Sequence, residues 1–386
     1  MRAGRRALLA LAAALLLTAS GRALAQEEPL APLIEEQIGA LDLSEWDALY
    51  QQLPEEIRES FSGRTPAAIL AELAAGSGPG LEAGGKGLLA LLKQQLSPRL
   101  LLVSALLGLA ALGAAASQLS GGETGAAAAA GLVCYGMAIL AAVAAFSTVL
   151  SQSRQAIEQA QRLMELAFPV LTGLLASAGA AASAGLFQPA TALLTGTVSA
   201  LCQNVLLPLV LTMGVLAVVG NLSEEKPLSR MLGFVKTAVK WITGGMSTLS
   251  VGYLGIMGIA ARGADGLSLR AARFAADKLV PYVGSMISGS VETLAGAAAL
   301  VKSGLGLFAV LLMAGLLLSP VLNVMTLQLS FRLAAALIEP LGGTRLCRGL
   351  SALGDVLGCM AGVLAAVGAM FALTVGMIAA AGSSLL

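Results

Sequence analysis

Long apolar runs, separated by glycine, proline or charged residues, fill most of this chain. They lie at about 99–119, 127–150, 191–220, 244–261, 303–326 and 353–382. A helix needs roughly 20 predominantly apolar residues to cross the hydrocarbon core of a bilayer, so each run predicts a span. Weaker runs at 164–187, 283–301 and 321–338 bring the expectation to six to eight spans. The 164–187 run is rich in Ala and Gly and contains Pro169, which reads either as a span or as a broken helix. Composition agrees: 57% of residues are hydrophobic and 12% charged, with mean hydropathy +0.85. Soluble domains are about 25% charged. The fold class expected is all-α, a polytopic helical membrane protein.

The first residues differ from these runs. Arg2, Arg5 and Arg6 precede a short apolar core, Ala7 to Leu17, and Ala23-Leu24-Ala25 follows as a small-x-small pattern. That core is too short for a span, so residues 1–25 read as a signal peptide, with an uncleaved anchor as the alternative. Either reading puts the next residues outside the cytoplasm. Residues 26–75 then form an acidic helical segment in which Leu43, Trp46, Leu49, Tyr50 and Leu53 recur at helical spacing. So short a segment buries little by itself, which suits an appendage whose Trp46 and Tyr50 serve a small core or dock a partner. Residues 76–98 combine a Gly-rich linker with a lead-in helix, and 99–386 form the membrane domain.

Charge is divided unevenly. Between Gln26 and Pro98 there are twelve acids and four bases; from Arg99 onward there are ten acids and fifteen bases. Many of those bases fall in "NLSEEKPLSRMLGFVKTAVKWITGG", between two apolar runs. At about 100° per residue, Leu228, Met231, Leu232, Val235, Val239 and Ile242 gather on one face. Lys226, Arg230, Lys236 and Lys240 oppose them, and Gly244-Gly245 reads as the end of the helix. A second stretch, 266–281, repeats the design, with Arg270 and Arg273 opposite Leu269, Ala272 and Ala276. Basic polar faces suit helices lying in the headgroup region, so 226–243 and 266–281 are expected to bracket the 244–261 span. The alternative is an ordinary loop helix packed on the bundle. Lysine bias places 226–240 in the cytoplasm, which requires 164–187 to be re-entrant rather than a full crossing.

Glycine spacing marks candidate packing surfaces. Gly354, Gly358 and Gly362 make two GxxxG steps, and Gly252, Gly255 and Gly258 recur every third residue. Such spacing allows close helix contact within the bundle or with another protein. Ionisable and polar groups in apolar runs are costly and usually face a partner or water. Glu292, Asn323, Gln328, Arg332 and Asp355 are therefore candidates for a hydrated path, with Glu165, Lys302 and Glu339 at or beside other spans. Pro208 and Pro320 read as breaks in two long helices, an arrangement found at the midplane sites of some transporters.

Enzyme chemistry has little to work with. The chain has no histidine, which removes the commonest general base and imidazole metal ligand. Cys134, Cys202, Cys347 and Cys359 form no CxxC pair and read as small buried hydrophobes. No phosphate-binding Gly-rich loop, dinucleotide fingerprint or clustered metal ligands occur. No catalytic residue, cofactor, metal or nucleic-acid partner is expected.

Several stretches taken together resemble the stage III sporulation protein AE family. They are "LDLSEWDALYQQLP", the Gly-rich linker, "NLSEEKPLSRMLGFVKTAVKWITGGMSTLSVGYLGIMG", "LVPYVGSMISGSVETLAGAAALVKSGLG" and "LSPVLNVMTLQLSFRLAAALIEPLGGTRLCRGLSALGDVLG". The resemblance extends over nearly all of the chain after residue 25 and is densest from about 200 to 360. It implies a polytopic protein in the mother-cell membrane around the forespore, required for forespore development. The implied partners are the other proteins of the stage III A operon, including a secretion-type ATPase and ring-forming subunits, and a forespore protein across the intermembrane space. The expected role is the membrane gate or platform of a channel complex. A self-sufficient secondary transporter and a non-conducting assembly scaffold are the alternatives. The resemblance carries no catalytic residues.

Overall fold

The weak run at 164–187 bears on the number of elements suited to a membrane. In the computed structural model, which describes residues 31–61, 63–76, 81–119, 125–220, 228–279, 284–341 and 344–381, this run is not a helix of its own. Its first half completes the helix that begins at Gly125, and its second half starts the next one. The residues between the two apolar runs look polar, yet Ser153, Ala156, Ile157, Ala160 and Leu163 fall on one buried face. A turn through Ala178-Gly179-Ala180 reverses the chain, with Gly179 at φ 89°. Only glycine adopts that conformation without strain.

The described residues form eleven α-helices and no strand. Four short ones come first: α1 Ala31–Gly39, α2 Ser44–Gln51, α3 Glu55–Ser60 and α4 Pro66–Ala74. Their ends follow local chemistry. Asp42 accepts hydrogen bonds from the Ser44 amide at 3.0 Å and the Ser44 hydroxyl at 2.6 Å, which hold its carboxyl below the usual carboxylate range. Thr65 caps α4 by accepting from the Ala68 amide, and Pro66 occupies the first turn.

The membrane body is built from α5 Leu81–Leu119, α6 Gly125–Ser177, α7 Ala181–Leu201, α8 Leu207–Val219, α9 Leu228–Leu279, α10 Gly284–Ile338 and α11 Thr344–Ala380. A π-helical turn, Cys202–Leu206, joins α7 to α8, so these two make one continuous apolar element. Six elements are then long and apolar enough to cross a membrane. Helices α10 and α11 sit at the centre, packed on each other and on α6, with α5, α8 and α9 outside them.

Prolines and hydroxyls are accommodated in two ways. Pro169, Pro189 and Pro320 lie inside helices that continue through them, so Pro320 does not break α10. Pro208 does mark an irregularity: just before it the Leu207 amide bonds back to the Cys202 carbonyl in the wider π register. Buried hydroxyls bond to their own helix one turn back, as Ser153 does to Val149 and Thr374 to Met370.

Two expectations change. Gly244-Gly245 does not end a helix, and 226–243, 244–261 and 266–281 are not three separate elements. Helix α9 runs unbroken from Leu228 to Leu279. Glycine is tolerated inside membrane helices because the bilayer offers the backbone no water to bond with instead. The second change concerns length. Helix α6 has 53 residues and α10 has 55, about 80 Å each at 1.5 Å per residue. That far exceeds the roughly 30 Å hydrocarbon core, so both project beyond a bilayer. The N-terminal helices pack along the middle of α10, at Gly304, Phe308 and Gly315.

Candidate functional site

Three membrane helices are joined by charge. Lys236 of α9 donates to Asp355 Oδ2 at 2.6 Å, and Arg332 of α10 donates to Asp355 Oδ1 at 2.9 Å. Asp355 stands on α11, between them. The side chains are 29% exposed for Lys236, 42% for Arg332 and 46% for Asp355, so the cluster lies on the flank of the bundle. Gln328, one turn before Arg332, lies over Gly358, where an added Cβ would come within 2.7 Å of the amide nitrogen. Gly354 faces Arg332 in the same way, its Cβ position 3.3 Å from Arg332 Cγ. The glycines let α11 come close enough for the long polar side chains of α10 to lie across it.

Asn323 belongs to a different group. It lies about 180° around α10 from Arg332. Its side chain bonds to Arg99 of α5 and Gln152 of α6, while Gln95 of α5 donates to the Ser319 carbonyl at 3.2 Å. A third polar group joins α6 to α7: Ser199 and Gln203 meet Gln161, whose amide donates to Glu165 at 2.8 Å. Deeper still, Lys302 is buried and donates to the Ala381 carbonyl, at the C-terminal end of α11. The negative end of the helix dipole makes that a favourable place for a cation.

The expected path residues thus divide. Gln328, Arg332 and Asp355 come together, joined by Lys236, which had been assigned to an interfacial face. Asn323 stands apart, and Glu292 lies on α10 with its side chain outside the described residues. Among the basic residues, Arg230 and Lys240 are exposed on α9; Lys226 lies outside the described residues, as do the side chains of Arg270 and Arg273. Of the glycines, Gly258 packs on Met377, whereas Gly252, Gly255 and Gly362 meet open space. The residues sequence reasoning missed are Arg99, Gln95, Gln152, Gln161 and Gln203. Their signal was long polar side chains within apolar helices.

Trp46 and Tyr50 point inward. Trp46 is 1% exposed and lies on Phe308 of α10, ring centroids 5.9 Å apart. Tyr50 meets Phe61 edge-on at 6.1 Å, and burial pushes its hydroxyl above the usual tyrosine value. In this structure neither ring is available to a partner. Two glycines of α10 make room for the N-terminal helices. A Cβ on Gly304 would fall 2.8 Å from the Ala74 backbone nitrogen, and one on Gly315 would fall 2.7 Å from Leu53. The acids of the segment face outward: Glu35, Glu36, Glu45, Asp47, Glu55 and Glu59 are all exposed.

No metal-binding group of three or more Cys, Asp or Glu side chains occurs among the described residues. Two shallow hollows of about 230 and 260 Å³ flank Glu165.

No solved structure matches this chain. A curated relative, stage III sporulation protein AE of Bacillus subtilis (strain 168), is 27% identical over 251 residues, covering 65% of this chain and 63% of its own length. The match therefore spans less than two thirds of that relative. A family model described as "Stage III sporulation protein AE" matches residues 69–382. This takes in every membrane helix but not α1 to α3, so "LDLSEWDALYQQLP" lies outside it. With most of its length matched, the chain belongs to the stage III sporulation protein AE family.

Proposed function

We propose that this chain is the membrane gate or platform of a channel complex between mother cell and forespore. The family places it in stage III of sporulation, and six helices are suited to a membrane. The observation that carries the proposal is a difference in exposed charge between two regions of the molecule. The first turns of α9, the end of α10 and the start of α11 carry Arg230, Lys236, Lys240, Arg332, Arg345 and Arg348 against Glu339 and Asp355. Helices α1 to α4, which pack along the middle of α10, present an acidic exposed surface instead. The positive-inside rule puts this basic region in the cytoplasm, which leaves the acidic helices in the intermembrane space. Six crossings then begin and end outside, and the lysine-rich start of α9 is cytoplasmic without a re-entrant segment.

In this reading the outer acidic surface, rather than Trp46 or Tyr50, meets partner proteins across the intermembrane space. A secretion-type ATPase and ring-forming subunits would supply the energy and the conduit. The test is complementation in a sporulating host that lacks the gene. Replacing Glu35, Glu36, Glu45 and Asp47 with Gln should leave the protein in the membrane but reduce heat-resistant spores and co-purification of the other stage III proteins. Normal sporulation and normal co-purification would contradict the reading.

A stand-alone transporter is the second reading. It is favoured by the π turn at Cys202–Leu206 and the Gln161–Ser199–Gln203 group beside it. Uptake of solute by vesicles containing this chain alone would support it.

A further inference from the structure

We propose that Lys236, Lys240 and Arg332 hold the phosphate headgroup of an anionic phospholipid, with an acyl chain lying along α11. This proposal stands apart from the channel reading. Helices α9 and α10 both pack on α11 but, among the described residues, build no packed interface with each other. A groove remains between them, floored by α11. Along the floor Asp355, Cys359, Gly362 and Ala366 recur at helical spacing and are half-buried, and a Cβ on Gly362 would meet nothing within 4 Å.

Charge at one end of the groove selects the occupant. Asp355 accepts one hydrogen bond from Lys236 and one from Arg332, so a single carboxylate faces two cations. Lys240, one turn along α9 from Lys236, adds a third and is exposed. Each cation has more N–H donors than Asp355 engages, and a guanidinium fork suits a phosphate. Leu329 and Leu333 are exposed beside Arg332, at 60% and 44%, as side chains in contact with lipid would be. An anionic headgroup supplies the missing negative charge while its tail covers the small-residue floor. A zwitterionic lipid brings its own ammonium group and lacks that advantage. Basic pockets between membrane helices take such headgroups.

The test uses the full chain in nanodiscs made from equal amounts of phosphatidylglycerol and phosphatidylcholine. Lipid retained after extraction into mild detergent is measured by native mass spectrometry. Retained lipid should be enriched in phosphatidylglycerol, and each of Lys236→Gln and Arg332→Gln should lower the enrichment about fivefold. Lys236→Arg should preserve it. Asp355→Asn should raise it, because the competing carboxylate loses its charge. That rise separates a lipid site from a purely structural ion pair, and it does not depend on the glutamine variants folding. Equal retention of both lipids, or a loss of enrichment in Asp355→Asn, would overturn the proposal. Displacement of phosphatidylglycerol by millimolar inorganic phosphate would overturn it in favour of a free-anion site. Displacement by a co-purified acidic membrane segment would overturn it in favour of a partner helix.

Discussion

Trp46 of α2 lies on Phe308 of α10, their ring planes inclined by 24°. The contact joins the N-terminal helices to the central membrane helix, and it makes the segment part of the bundle rather than a free arm. Trp46→Ala should cost about 3–5 kcal/mol, the usual range for a buried tryptophan. Thermal unfolding in detergent measures it.

The glycines of α10 make a separate prediction. At Gly304 an added side chain meets backbone, which cannot rotate away. Gly304→Leu should lift α4 off α10 while leaving the membrane helices in place. Limited proteolysis should then cut within residues 31–76 at least tenfold faster, a change expected when local opening becomes about 1.4 kcal/mol easier. Gly252→Leu, where nothing lies within 4 Å, should leave the cutting rate unchanged.

The ion-pair cluster should show measurable but modest coupling. Its members are partly exposed, which reduces the value of each pair to about 1 kcal/mol or less. A double-mutant cycle on Lys236→Met and Asp355→Ala should return a coupling of that size. Coupling between Asn323→Ala and Asp355→Ala should be near zero, because Asn323 lies on the opposite face of α10.

Lys302 should be far less tolerant. It is wholly buried and serves the C-terminal end of α11. Lys302→Ala leaves a cavity and removes a donor from the Ala381 carbonyl, costing about 2–4 kcal/mol. Accumulation in the membrane and melting temperature should both fall, whereas Arg230→Ala, on the exposed side of α9, should change neither.

Much of this architecture is legible in the sequence because the bilayer demands long apolar helices. What escapes is how the runs join. Residues 151–163 look like a polar loop, but Ser153, Ala156, Ile157, Ala160 and Leu163 carry a helical stripe that keeps α6 intact. Gly244-Gly245 looks like a terminus by the rules for soluble helices, and α9 passes through it. The candidate site is half legible. Arg332, Asp355 and Gln328 stand out as polar groups in apolar runs, but only the register between α9 and α11 brings Lys236 inward. The spacing of Trp46 and Tyr50 shows that they share a face and leaves open whether it meets this chain or a partner.

The central claim is a gate that spans the membrane with its acidic helices outside and opens within an assembly. Its most direct test is thiol labelling with a membrane-impermeant reagent in sporulating cells, in a functional background lacking Cys134, Cys202, Cys347 and Cys359. Single cysteines are placed at Ser44, Ser229 and Asn323. Ser44→Cys should label in intact cells, Ser229→Cys only after permeabilisation, and Asn323→Cys only when the other stage III proteins are present. Labelling of Ser44→Cys and Ser229→Cys from the same side, or of Asn323→Cys equally with and without those proteins, would contradict the account.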